Sequence, residues 1–151
     1  MAEPTLYDKI IDGSIPSFKV WENDAYIAFL TPFANTPGFT VVTPKQNPGA
    51  NFLDVDDGAY VGLLVAARTV AKGLKNAFGL TRVGLVIEGE GVPHLHVKLI
   101  PMHGLGQNGG VHATHTEFYE NYPGYLTTIE GPRMADEALR DIQQKIIEAN
   151  K

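Results

Sequence analysis

The chain has 151 residues, with 12 Lys and Arg against 17 Asp and Glu for a formal charge of −5, and it is 44% apolar against 19% charged. This is the profile of one globular domain over 1–151: too apolar for a disordered chain, and too short for two halves that each bury a core. The acidic balance offers no cationic footprint for nucleic acid, and the lack of cysteine excludes disulfides, thiol catalysis and thiolate metal sites.

Met1-Ala2-Glu3-Pro4 lacks a basic segment followed by an apolar one, and the longest uncharged apolar stretch, ending before Arg68, is too short to span a bilayer. The expectation is a cytoplasmic protein with no membrane association. Leu6 to Ile11 carries apolar residues at helical spacing and stops at the turn pair Asp12-Gly13. Three short apolar segments follow, Phe18 to Trp21, Ala25 to Leu30 and Gly38 to Thr43, separated by turn residues that include Asn23-Asp24 and Pro37-Gly38. From Asp54 to Phe78 the period changes, with Leu63, Leu64, Ala67, Val70, Ala71 and Leu74 on one helical stripe. Acidic residues at its start and Gly79 at its end match the polarity and stop signals of a helix. Val83 to Ile87 and Leu95 to Ile100 read as a fourth and a fifth strand around the turn Glu88-Gly89-Glu90-Gly91. Irregular sequence follows Pro101, and Ala135 to Asn150 closes as an amphipathic helix. The order predicts an α+β fold, an antiparallel sheet with a long helix across one face.

In Pro93-His94-Leu95-His96-Val97-Lys98-Leu99-Ile100-Pro101 polar and apolar residues alternate. A period of two puts His94, His96 and Lys98 on one face of a strand and Leu95, Val97 and Leu99 on the other. Same-face neighbours stand roughly 6.5–7 Å apart, so a phosphate-sized group could touch two or three of them. The competing reading is a solvated sheet face with incidental polar side chains.

The row resembles the signature of the histidine-triad family, His-φ-His-φ-His-φ-φ with φ apolar. Further motifs in the same order resemble the family: Lys9-Ile10-Ile11-Asp12-Gly13-Ser14-Ile15-Pro16, then Ala28-Phe29-Leu30 with Pro37-Gly38 and Val41-Val42-Thr43-Pro44-Lys45, then Pro101 after the triad. The resemblance covers about 5–103 and leaves a C-terminal extension over about 104–151. It implies a five-stranded antiparallel sheet, a homodimer, a pocket for a nucleotide-containing small molecule, and nucleotidyl hydrolysis or transfer through a nucleotidyl-histidine. Nucleoside phosphoramidates or dinucleoside polyphosphates are the implied substrates. His96 corresponds to the nucleophile and His94 to the orienting residue, while Lys98 takes the third position, where a histidine is usual. An ammonium there retains attraction for a phosphate oxygen, but it is not an imidazole-type acid and base near neutral pH.

Other departures concern the binding residues. Thr31 stands where the family commonly has an acidic residue that contacts ribose hydroxyls, with Phe33 close after it. Phe39 follows Gly38 where a histidine is common. The loop before the triad is short, and Glu88 stands about where a phosphate-binding Asn is expected. Glu88 or Glu90 is a candidate to accept a proton from His94 or to position water. The family's zinc-binding Cys pair is absent, with Thr5 and Asp8 in the comparable region, so no structural zinc or other cofactor is expected. His103 lies at the end of the triad strand and is a candidate to approach the site. His112 and His115 read as loop residues. In the extension, Tyr119, Tyr122, Tyr125 and Arg133 either fold over the pocket, with Arg133 clamping phosphate, or pack the last helix onto the sheet. Beside the enzyme stands an alternative of a different class, a non-catalytic nucleotide- or partner-binding module on the same fold.

Overall fold

The computed structural model describes residues 3–105 and 132–151. Among them the order is α1 (Leu6–Ile11), β1 (Phe18–Glu22), β2 (Tyr26–Leu30), β3 (Thr40–Pro44), α2 (Asp57–Phe78), β4 (Val83–Val86), β5 (Val97–Pro101) and α3 (Asp136–Glu148). The strands form one antiparallel sheet in the order β1-β2-β3-β5-β4, the α+β fold expected. The positions foreseen as His112, His115, Tyr119, Tyr122 and Tyr125 lie outside the described residues. No helix among the described residues is long and apolar enough to cross a membrane.

Alternation along the strands divides the apolar side chains between two faces. Ala28, Leu30, Val42, Leu95, Val97 and Leu99 point to one face, where the buried stripe of α2 (Leu63, Ala67, Val70, Leu74) covers them, joined by Leu139 and Ile146 of α3. Ile27, Phe29 and Val41 point to the other face and meet Tyr7 of α1. Each fully buried Leu on these faces contributes about 2 kcal/mol of apolar transfer.

Most boundaries shift by one to three residues from those read in the sequence, and two of the shifts have a clear cause. The long helix begins at Asp57 because Asp56 is its cap, accepting from the amide of Ala59 at 3.0 Å, while Asp54 accepts from Asn51 instead. It ends at Gly79, whose φ of 62° lets its N–H turn back onto the carbonyl of Lys75. The triad strand begins at Val97 rather than Leu95. Its partner β3 pairs Val42 with Val97 and ends at Pro44, which has no N–H to continue the ladder. Beyond that point Thr43 Oγ1 donates to the carbonyl of Leu95 at 2.8 Å, and the amide of Leu95 donates to Gly49 at 2.7 Å. The segment from His94 to His96 is thus held by side-chain and loop bonds at the mouth of the sheet.

Candidate functional site

The period-two register holds, since Lys98 pairs with Val41 on the α1 face while Leu95, Val97 and Leu99 enter the main core. The row is not a solvated face. His94 is 0% and His96 2% exposed, because the Tyr7 ring of α1 covers both, edge-on to His96 with centroids 5.1 Å apart and tilted against His94 at 5.8 Å.

Hydrogen bonding assigns the protons. His96 Nδ1 lies 2.7 Å from the carbonyl oxygen of His94. A carbonyl only accepts, so Nδ1 carries the hydrogen and Nε2 keeps its lone pair. Burial holds the His96 imidazole below its ordinary pKa, partly offset by this hydrogen bond, so the ring is neutral at pH 7.

His94 is fixed in turn. Its Nε2 is 2.8 Å from the carbonyl of Pro44, and its Nδ1 is 3.2 Å from Thr5 Oγ1. Thr5 caps α1 in a reciprocal box: its amide donates to Asp8 Oδ2 at 2.7 Å and its hydroxyl accepts from the Asp8 amide at 3.1 Å. The same hydroxyl stands 2.8 Å from Asp8 Oδ2, so it can donate either to Asp8 or to His94. Asp8 Oδ1, 3.5 Å from His94 Nδ1, favours an imidazolium. Burial opposes it and wins, lowering the His94 pKa, because the side chain is fully enclosed. Asp8 itself is held below the ordinary carboxylate range, chiefly by the Thr5 amide and then by the Thr5 hydroxyl.

Lys98 is ion-paired with Glu88, both side chains largely buried at 16% and 13% exposure. The pairing follows from register: Val86 is opposite Lys98, and Glu88 lies two residues further along the same face. The lysine therefore presents a positive charge already balanced by a carboxylate. Since both His94 nitrogens face Pro44 and Thr5, neither Glu88 nor Glu90 receives its proton. Glu90 is exposed in the turn. That turn is tight because Gly89, at φ 72°, sits where a Cβ would come 3.2 Å from the carbonyl of Ala50.

A cavity of about 350 Å³ opens on the same face. Its lining includes Tyr7, Phe29 and Val41 of the α1 face, together with Leu30, Thr31, Phe33 and Arg133. Tyr7 is thus shared between the cavity and the face of His96. The Thr31 hydroxyl accepts from the amide of Phe33 at 3.2 Å. The structure brings together His94, His96, Lys98 and Glu88 at the triad row, and Thr31, Phe33 and Arg133 at the cavity. It does not bring His103 to either, since that ring lies at the opposite end of β5, near the Pro37 carbonyl (2.9 Å) and edge-on to Phe78 (5.1 Å). Phe39 is buried at 3% exposure, and Trp21 packs against the main core. Among the described residues no three His, Asp or Glu side chains converge as metal ligands would.

Tyr7, Thr5 and Asp8 went unassigned in the sequence as parts of this site. The capping box was legible as Thr-x-x-Asp. Nothing local pointed from it to a histidine 89 residues away.

A family model for the HIT domain matches residues 12–105. The chain is 34% identical over 125 residues to Protein hit of Bacillus subtilis (strain 168), covering 79% of this chain and 86% of that protein. It is 31% identical over 97 residues to an adenosine 5'-monophosphoramidase of Saccharomyces cerevisiae, covering 64% of this chain and 61% of that one. Among solved structures, a Hit-like protein of Bartonella henselae aligns with a TM-score of 0.72 at 26% identity, covering 99% of this chain and 98% of the other.

Proposed function

The chain belongs to the histidine-triad (HIT) family, and from that premise we propose that it is a nucleotidyl hydrolase or transferase acting through His96. The observation that carries the proposal is the 2.7 Å contact from His96 Nδ1 to the His94 carbonyl, which leaves Nε2 as a lone pair on a neutral ring. In the first step Nε2 attacks the α-phosphorus of a nucleotide conjugate. The bond to the leaving group breaks, its electron pair departs with that group, and the group takes up a proton from solvent. The phosphorylated ring is then a cation, and the Nδ1–H donated to His94 disperses its charge. Water or another acceptor attacks the same phosphorus and releases its proton to solvent, and neutral His96 leaves. Lys98, held by Glu88, is a fixed positive partner for a phosphoryl oxygen, and His94 fixes the ring that its carbonyl holds. The substrate class is a nucleoside phosphoramidate or a dinucleoside polyphosphate, the former supported by the yeast relative's activity.

We further propose that two copies pair through the β4 edge of the sheet. Val61, Val65 and Leu85 are exposed there at 54%, 50% and 44% and line one groove with Val83 and Leu99, an apolar surface suited to self-association. A monomer by light scattering would refute the pairing.

The decisive experiment is intact-mass spectrometry of wild type and His96→Ala after brief incubation with both substrate classes. Turnover or a nucleotidyl adduct in wild type alone supports the covalent route. No turnover and no adduct, with nucleotide binding undiminished in the variant, would instead make the chain a binding module. The enclosure of His96 and the neutralised Lys98 favour that second reading.

A further inference from the structure

The cavity beside the triad does not end at its apolar walls. Lys98 of β5 is opposite Val41 of β3, which is opposite Phe29 of β2, and Phe18 of β1 is opposite Leu30. The cavity is lined by Val41 and Phe29 on the α1 face and reaches Leu30 and Phe18, which belong to the main-core side, at the β1 edge of the sheet. There it meets a second, polar hollow of about 490 Å³, sharing Pro16, Ser17, Phe18 and Arg133 with it. The remaining wall of that hollow is Asp136, Arg140 and Gln143 of α3.

Two guanidinium groups against one carboxylate make this hollow locally cationic in a chain of net charge −5. Among the described residues, Arg133 uses one N–H on the Met134 carbonyl at 3.0 Å and one on Asp136 at 2.7 Å. A guanidinium has five N–H donors, so three remain for a ligand. The amide of Met134 donates to the Pro32 carbonyl at 2.7 Å, which ties the segment carrying Arg133 to the one carrying Thr31, and both residues line the cavity. Ser17 and Thr31 line the cavity with Arg133 as its polar part, whereas Leu6, Ile10 and Ile15 are its apolar part. An aromatic base suits the apolar part, and a sugar with its substituents suits the polar part. A carboxylate at the sugar would bind free hydroxyls and repel an added anion. A neutral Thr31 with a nearby arginine does the reverse.

We propose that the Arg133–Arg140 hollow is a binding subsite for a second phosphate on the sugar of the nucleotide, at its 2' or 3' position. The preferred substrates are then sugar-phosphorylated nucleotide conjugates. This rests on the reading of the cavity as a nucleotide site.

Isothermal titration calorimetry on the intact chain tests both levels, using 5'-AMP, adenosine 2',5'-bisphosphate and adenosine 3',5'-bisphosphate. One bisphosphate should bind about tenfold or more tighter than 5'-AMP, as a charge-assisted arginine contact provides, and which isomer wins identifies the position. The ratio should fall toward one in Arg140→Gln, an exposed residue whose variant is checked for unchanged thermal unfolding. Equal affinity for all three ligands in wild type overturns the subsite and leaves the nucleotide site standing. A preference that survives in Arg133→Gln/Arg140→Gln also overturns it. No binding of any of the three overturns the nucleotide reading as well.

Discussion

His96 donates its Nδ1–H to the main-chain carbonyl of His94 at 2.7 Å, so a backbone atom two residues earlier decides which nitrogen of His96 keeps its lone pair. His94 is itself anchored by Pro44 at 2.8 Å and Thr5 at 3.2 Å. The Nε2 lone pair of His96 is therefore oriented by bonds from three separate parts of the chain.

Replacing His96 with Ala should lower turnover by on the order of 10³-fold or more, as expected when a covalent nucleophile is removed. Single-turnover kinetics with a phosphoramidate substrate checks this. Activity within a few-fold of wild type would sink the His96 mechanism.

Burial lowers the pKa of His96, so the acid limb of kcat/KM should have its midpoint below 6.5, the ordinary imidazole value. A limb centred at or above 6.5 would count against a buried nucleophile. Stability has the same sign. Both buried histidines bind protons more readily when unfolded, so their contribution is present above pH 6.5 and is lost as pH falls from there toward the folded values. Asp8, whose folded pKa is lowered, adds a loss at still lower pH, below its ordinary 3.8. Thermal unfolding measured from pH 4 to 8 should show Tm decreasing below pH 6.5, and a flat Tm across that range would contradict the assignment.

Thr5→Ala should destabilise the fold by about 1 kcal/mol through the lost cap, measured by urea unfolding. Because the same hydroxyl faces His94, it should also reduce kcat more than it raises KM. A stability loss with unaltered kinetics would confine Thr5 to capping.

Glu88→Gln should remove the carboxylate that pairs with the largely buried Lys98 ammonium, costing about 2 kcal/mol or more. Glu88→Gln/Lys98→Met should cost less than the sum of the two single changes. Additive losses in a double-mutant cycle would mean that the pair is not coupled. Unchanged turnover in Glu88→Gln would remove that carboxylate from the mechanism.

Local chemistry made much of this protein legible in advance. The end of α1 follows from the Asp12-Gly13 stop, and the strict alternation from His94 to Leu99 assigned those side chains to their faces. The long apolar stripe made α2 certain as a helix, but only its capping bond showed that Asp56, not Asp54, begins it.

The depth of the site was decided by tertiary structure alone. Period two distinguishes one sheet face from the other, but it cannot tell which face is covered by a later or earlier element. Tyr7 buries both histidines from a helix nearly ninety positions away in sequence, and that burial sets the direction of their pKa shifts. Likewise Lys98 and Glu88 become partners only when β4 and β5 fall into register, and Arg133 joins Thr31 in lining one cavity only when Met134 bonds Pro32. Residue type and spacing determine local geometry and the chemistry that is available. Burial, pairing and enclosure depend on contacts between distant segments, which no short stretch of sequence encodes.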